Sequence, residues 1–315
     1  MRKVIGIGET VYDIVFKDGQ PQAAVPGGST FNSMISLGRC GVPSDFLSEL
    51  GNDKVGSIIK DFMSSNGVDP AFVNVLPIKT PLSLAFLDEN NDASYTFYRE
   101  TLKERPEFLY PVIEPDDIVL FGSFYALNPA CRPMVRHFLG YARSCGAILY
   151  YDVNFRPSHV KDLGNIGDAL WENFSFADVL RGSHEDFRTL FGIEGAAQVF
   201  NEKISEHCGN FIYTCGPAPL KVMDRHGFAG EYPVSPVDTV STIGAGDNFN
   251  AGFIYGLVKD GVTRQMLLDG LQADVWADLV ACAQGFSACC CQSSFNYVTP
   301  EFAAARREDL TSRDR

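Results

Sequence analysis

No lysine follows a glycine anywhere in the chain, so the phosphate loop GxxxxGK[ST] is excluded. The glycines of GIGETV at positions 6 and 8 do not make a dinucleotide fingerprint, because Val11 stands where the third glycine is needed. The signature set of the protein kinases is also missing. No two of the nine cysteines are spaced CxxC, and their number is odd, which points to reduced thiols. Cys289, Cys290 and Cys291 are adjacent, with Cys282 seven residues earlier. Neighbouring helical residues point about 100° apart, so packed thiols are favoured over a tetrahedral metal site. No apolar run approaches the roughly 20 residues that span a bilayer. The start, MRKVIGIGETVYDIVF, is basic and then apolar, but Glu9 and Asp13 interrupt it and no small-residue cleavage site follows, so it is not read as a signal peptide. Positive charge is scarce: 26 Lys and Arg face 39 Asp and Glu, for a net charge of −13. Such a surface repels nucleic acid and anionic membranes. A cytoplasmic protein with neither as partner is expected.

What is present is an alternation. With 315 residues, 45% hydrophobic and 21% charged, the chain suffices for one large α/β domain with a small appendage, or for two modest domains. Short apolar runs at 4–8, 44–50, 117–123, 147–153, 177–183 and 210–215 read as strands. Helix-like stretches lie at 29–40, 54–65, 130–144 and 184–191, and a longer helical region runs from about 244 to 292 with breaks. The pattern predicts βαβ units and a parallel sheet covered on both faces. Residues 9–26 and 82–100 break it. The first contains TVYDIVF and the turn signal KDGQPQ; the second reads as a hairpin around Asn90-Asn91. Both are expected to form a small extra β-sheet, with 1–8, 27–81 and 101–315 forming the α/β core. The tail AAARREDLTSRDR is polar and is expected to fray.

The stretch STIGAGDNFNAGF (241–253) strips away side chains at Gly244, Ala245 and Gly246 immediately before Asp247. A helix N-terminus presents free N–H groups and a positive dipole end, and small residues let an anion approach them. An acid beside a bound anion makes sense if it takes a proton from an attacking hydroxyl while the amides stabilise a transferred phosphoryl group. On these residues alone, a Gly-rich turn with an acid in the first helical turn is an equal alternative.

Taken together, seven segments in order resemble the ribokinase-like (PfkB) carbohydrate kinases: GETVYD (8–13), PGGSTFN (26–32), ELGND (49–53), TFYRE (96–100), DVNFR (152–156), YTCG (213–216) and STIGAGDNF (241–249). The resemblance implies a three-layer α/β/α Rossmann-like core with a β-sheet lid, MgATP as donor and a small sugar as acceptor. It implies that Asp247 is the catalytic base and that the backbone of Gly244, Ala245 and Gly246 forms the anion hole. Asp13, Gly27, Gly28, Asn32, Tyr98, Arg99, Asn154 and Arg156 fall at sugar-site positions. Thr214, Gly216, Thr242 and Cys282 fall with Gly244 and Gly246 on the nucleotide side. A homodimer through the lid is a weaker implication.

Four departures stand out. Ser241 replaces an acid linked to a monovalent cation, which counts against potassium activation. Ser183 and Asp186 replace an N-x-x-E linked to magnesium waters, leaving Asp186 as the metal candidate. Cys282 replaces an asparagine, and Pro217 follows YTCG. Fructose is the leading acceptor, because GE-x-x-x-D, FYR and D-x-N-x-R together resemble fructokinases. The alternatives are a 2-keto-3-deoxygluconate kinase and a non-catalytic sugar- or nucleotide-binding regulator on the same fold.

Overall fold

Consecutive residues of the first strand, β1 (Val4–Ile7), belong to different cores. Val4 packs into one hydrophobic cluster, while Ile5 and Ile7 pack into another on the opposite face. The same alternation recurs in Ile118 and Leu120 against Val119 and Phe121, and in Ile148 and Tyr150 against Leu149 and Tyr151. A sheet buried on both faces requires apolar residues at every position, which is why these strands read as continuous apolar runs. The computed structural model describes residues 1–89, 93–100 and 105–312.

The elements follow in chain order. After β1 come β2 (Val11–Lys17), β3 (Gln20–Gly27), α1 (Ser29–Arg39), β4 (Ser44–Gly51), α2 (Lys54–Ser65), β5 (Val68–Asp69) and β6 (Val73–Leu76). Next are β7 (Leu82–Leu87), β8 (Ala93–Tyr98), β9 (Ile118–Gly122), α3 (Arg132–Ser144), β10 (Ile148–Asp152), α4 (Leu163–Phe176), β11 (Val179–Ser183), α5 (His184–Phe191) and α6 (Ala196–Val199). The chain then forms β12 (Asn210–Cys215), β13 (Ala218–Asp224), β14 (Ala229–Tyr232), α7 (Ala245–Lys259), α8 (Arg264–Asp269), α9 (Ala273–Cys291) and α10 (Pro300–Ser312).

The main sheet has the order β14-β13-β12-β11-β10-β9-β1-β4-β5, with β6 also on β4. It is parallel from β12 to β5, and the β13–β14 hairpin extends it antiparallel. Helices α1, α7 and α9 cover one face, and α3 and α4 the other. This is the expected α/β architecture.

Residues outside the alternation form a separate four-stranded sheet, β3-β2-β7-β8. Its first hairpin turns at Asp18 and Gly19, both in the left-handed region (φ 51° and 71°), as KDGQ suggested. The predicted turn at Asn90-Asn91 lies outside the described residues. One expectation fails. The tail does not fray before Ser312, because α10 docks on the core: Ala303 and Leu310 are buried, and the Tyr255 hydroxyl donates to the Arg306 carbonyl at 2.7 Å. Among the described residues, no helix is long and apolar enough to cross a membrane.

Candidate active site

Helix α7 begins with Gly244 as its N-cap, at φ 80°, with no side chain capping the first turn. A Cβ on Gly244 would stand 2.9 Å from the Asn296 carbonyl oxygen, so both conformation and space demand glycine. The Ala245 amide donates to the Thr242 carbonyl at 3.2 Å. Of the small residues proposed for the anion hole, Ala245 therefore has its amide partly engaged. Among the described residues, the amides of Gly246 and Asp247 remain as first-turn donors.

Asp247 is fixed by the facing helix. Its Oδ1 accepts from the Ser29 hydroxyl at 2.7 Å and its Oδ2 from the Asn32 amide at 2.8 Å. Ser33 donates to the Asp247 carbonyl at 2.7 Å, and Ser36 to Asn248 Oδ1 at 2.6 Å. Burial pushes the Asp247 carboxyl up to about 6, against the bonds from Asn32 and Ser29; the Asp152 charge adds to the rise and Arg156 opposes it. The group is thus poised to hold or release a proton near neutrality.

Asp13, on β2, faces the same space. Burial pushes its carboxyl up to about 6; the Ser83 hydroxyl opposes this, and the charges of Asp247 and Glu9 add to it. A Cβ on Gly27 would lie 2.0 Å from Asp13 Oδ2, and one on Gly28, at φ 129°, would lie 2.3 Å from the Glu9 carbonyl oxygen. The double glycine is what lets the β3–α1 turn pass under these groups. Asn32 spends its amide on Asp247, and its Oδ1 is buried with no partner.

The loop after β10 supplies the third side. Asn154 sits in the left-handed region (φ 36°) and donates to the Ser123 hydroxyl at 2.8 Å. The Arg156 guanidinium lies over the Tyr95 ring, 5.9 Å from its centre. Asp186 shapes this loop. Its Oδ1 accepts from the Phe155 amide at 2.7 Å, while its Oδ2 accepts from the Ser183 amide and hydroxyl at 2.6 and 2.8 Å in a capping box that starts α5. Both oxygens of Asp186 accept from backbone and cap, so the residue holds the DVNFR loop, and Oδ1, with one donor, keeps a lone pair for the water-mediated metal contact expected of it. Among the described residues, no cluster of three or more His, Cys, Asp or Glu could hold a metal.

Under the α7 terminus lies a residue not anticipated from sequence. Arg181 is buried, pairs with Asp152 at 3.0 Å and donates to Thr214 Oγ1 at 2.8 Å. A Cβ on Gly246 would stand 3.2 Å from its guanidinium. Arg181 thus places a positive charge directly behind the first turn of α7, with Thr214 and the left-handed Gly216 (φ 59°) at the neighbouring strand end. One signal was readable: a lone arginine inside an apolar strand is rarely buried without a purpose. Ser29 and Tyr95, equally unanticipated, lie inside motifs or beside them, but nothing in the pattern singles them out.

Some candidates lie elsewhere. Tyr98 is 58% exposed and pairs in register with Leu82, which pairs with Tyr12; Tyr95 and Phe97 point to the opposite face of β8. Cys282 lies on α9 facing α7, where Lys259 donates to its Sγ at 3.6 Å, at the far end of α7 from Asp247. It is a packing residue there. Arg99 pairs with Glu9 at 3.0 Å, and Thr242 is exposed beside the turn.

A family model described as pfkB family carbohydrate kinase matches residues 1–297. The chain belongs to the pfkB family of carbohydrate kinases. Among curated relatives of this pfkB kinase, a 5-dehydro-2-deoxygluconokinase of Geobacillus kaustophilus is 26% identical over 253 residues, covering 74% of this chain and 73% of the relative. A fructokinase of Rhizobium leguminosarum bv. trifolii is 25% identical, covering 82% and 80%. The fold is shared with a Vibrio cholerae fructokinase solved with fructose, ADP and potassium (TM-score 0.81, 19% identity, 98% of each chain). It is shared as well with a Salmonella enterica aminoimidazole riboside kinase solved with aminoimidazole riboside and an ATP analog (TM-score 0.80, 20% identity, 98% and 99% covered).

The buried Arg181–Asp152 pair generates a stability test for this pfkB kinase. Arg181→Met leaves a buried carboxylate without its partner and is expected to lower unfolding free energy by about 3–5 kcal/mol. The double variant Asp152→Asn with Arg181→Met recovers part of that loss, and urea titration reads both.

Proposed function

We propose that the chain transfers the γ-phosphoryl group of ATP to a hydroxyl of a small sugar, with fructose as the leading acceptor and Asp247 as general base. The observation that carries this is the Asp247 carboxylate, raised to about 6, at the open first turn of α7 and opposite Asp13. An alcohol barely ionises at pH 7, so a positioned carboxylate that accepts its proton promotes attack while the amides and Arg181 stabilise the transferred group. Magnesium enters with the nucleotide, as MgATP. The fructokinase names of several relatives support the choice of acceptor. A cytoplasmic location is part of this reading.

A second acceptor class is an acidic sugar, since 5-dehydro-2-deoxygluconokinases are also relatives. Arg156 favours it, because among the described residues it has no ion-pair partner. Arg99 weighs against it, its charge already met by Glu9. A coupled ADP-release assay over fructose, ribose, adenosine, 2-keto-3-deoxygluconate and 5-dehydro-2-deoxygluconate separates these readings. Absence of turnover on every one, with sugar still bound, favours a binding regulator.

Asp247 must be ionised to accept a proton, so kcat/KM is expected to rise with pH through about 6 and level off above it. Asp13 titrates in the same range, so the acid limb belongs to the pair. Asp247→Asn should keep sugar and ATP affinity and lose roughly 10²–10⁴-fold in kcat. Near-normal kcat in that variant overturns the assignment.

The small sheet, with 9–26 and 82–100, acts in this proposal as a lid that excludes water. Asp13, Ser83, Tyr95 and Phe97 share its inner face. Amide exchange in β2 and β7 is expected to slow at saturating sugar, and unchanged exchange means a rigid wall. The outer face carries exposed Phe86 and Tyr98 and suits a homodimer, which sedimentation reads out.

Ser241 bears on potassium. Its hydroxyl accepts from the Ile243 amide at 3.2 Å, and the Val240 and Ser241 amides donate to the Cys291 carbonyl at 2.8 and 3.2 Å. Direct bonds hold the turn where a carboxylate and a cation would otherwise do so. Activity is expected to differ little between potassium and a bulky organic cation at equal ionic strength, and saturable activation by potassium contradicts this.

A further inference from the structure

Beside the site, and across Glu9 from it, is a second enclosure. A cavity of about 150 Å³ lies where the chain leaves β1, β4 and β9. Its polar walls include Glu9, Glu49, Arg99, Glu100, Arg105 and Tyr125, with Cys131 beside them. The Glu9 carbonyl packs on Gly28, and the Glu9 charge is felt at Asp13, so this cavity adjoins the acceptor side of the site.

Three wall atoms are buried without a hydrogen-bond partner: Glu49 Oε1, Arg105 Nε and the Tyr125 hydroxyl. Tyr125 is only 8% exposed, and the side group beside its hydroxyl is the Cys131 thiol, a weak partner. Thr10 and Ser48, on the same wall, satisfy one another at 2.7 Å, and Ser48 also donates to the Gly8 carbonyl. The unmet groups therefore cluster. Leaving a buried donor or acceptor unmet is unfavourable, so such a cluster marks a place for a ligand.

The charges select the ligand class. Arg99 pairs with Glu9, and Arg105 with Glu49, so each cation is already neutralised by an acid. An anion would meet three carboxylates, Glu100 among them, against two guanidinium groups. One unmet atom accepts, one donates, and the phenol does either. A hydroxyl donates and accepts at once, so adjacent hydroxyls match this set. A cavity of this volume takes a ligand of about six heavy atoms.

We propose that this cavity binds a neutral polyhydroxylated group, held by Glu49, Arg105 and Tyr125, as a second polyol subsite next to the reacting sugar. The subsite lies beyond phosphoryl transfer and does not depend on which acceptor is used. It takes either the far end of the acceptor or a separate small polyol.

Glycerol is the probe, observed by saturation-transfer NMR without nucleotide, so that failure of the kinase reading leaves the result intact. Binding to the wild-type chain is expected, weakened about tenfold by Tyr125→Phe, which removes one hydrogen-bonding group and nothing else. Glu49→Gln serves as the second variant, and thermal unfolding confirms that both fold. Displacement of glycerol by fructose assigns the cavity to the far end of the acceptor; simultaneous binding assigns it to a separate polyol. The proposal is overturned if wild type binds no glycerol, if neither variant changes its affinity, or if glycerate, one oxygen larger and charged, binds as tightly.

Discussion

The site depends on one seam, the line of hydrogen bonds from α1 to the first turn of α7. Ser29, Asn32, Ser33 and Ser36 recur on one face of α1, and each reaches Asp247 or Asn248. Hydroxyls and an amide are short enough to let the helices approach closely and polar enough to orient a carboxylate. An apolar α1 would pack but would leave Asp247 buried and unpartnered, which is unfavourable. The seam therefore both fixes the Asp247 carboxyl and keeps it ionisable.

Around that seam the strand ends arrange charge in layers. Arg181 lies behind the small-residue turn, with Asp152 beneath it and Thr214 at its side. Asp186 is spent on geometry, holding the loop that carries Asn154 and Arg156. Acids in the same cleft thus do different work. Those bonded by backbone amides shape loops, while Asp13 and Asp247 are pushed by burial toward neutrality, where protons can be exchanged.

The separate sheet closes the third side with period-two economy. Asp13, Ser83, Tyr95 and Phe97 face inward, and Tyr12, Leu82 and Tyr98 face outward. A one-residue shift in register would exchange the two sets, so the hairpin turn at Asp18-Gly19 indirectly sets which groups face the Asp247 cleft.

Much was legible in the residues themselves. Continuous apolar runs determined most of the buried parallel strands, because a sheet covered on both faces favours apolar residues at both parities. The run of small residues before Asp247 was visible as well, but the positive φ of Gly28 and Gly244 and the close contact of Gly27 with Asp13 emerge only in the fold. What the chain pattern could not convey was which distant groups meet. Tyr98 and Tyr95 look alike in a strand and differ only by the face the register gives them. Asp186 reads as a water-mediated metal contact, and only the fold shows its oxygens on Phe155 and Ser183; Cys282 reads as a nucleotide neighbour until it is found at the far end of α7. Arg181 reaches Gly246 across 65 residues of sequence. Local propensity determines elements, because it acts through neighbours along the chain. Partners of buried charges are decided only when the sheet and helices pack, because those contacts join residues that share no local interaction.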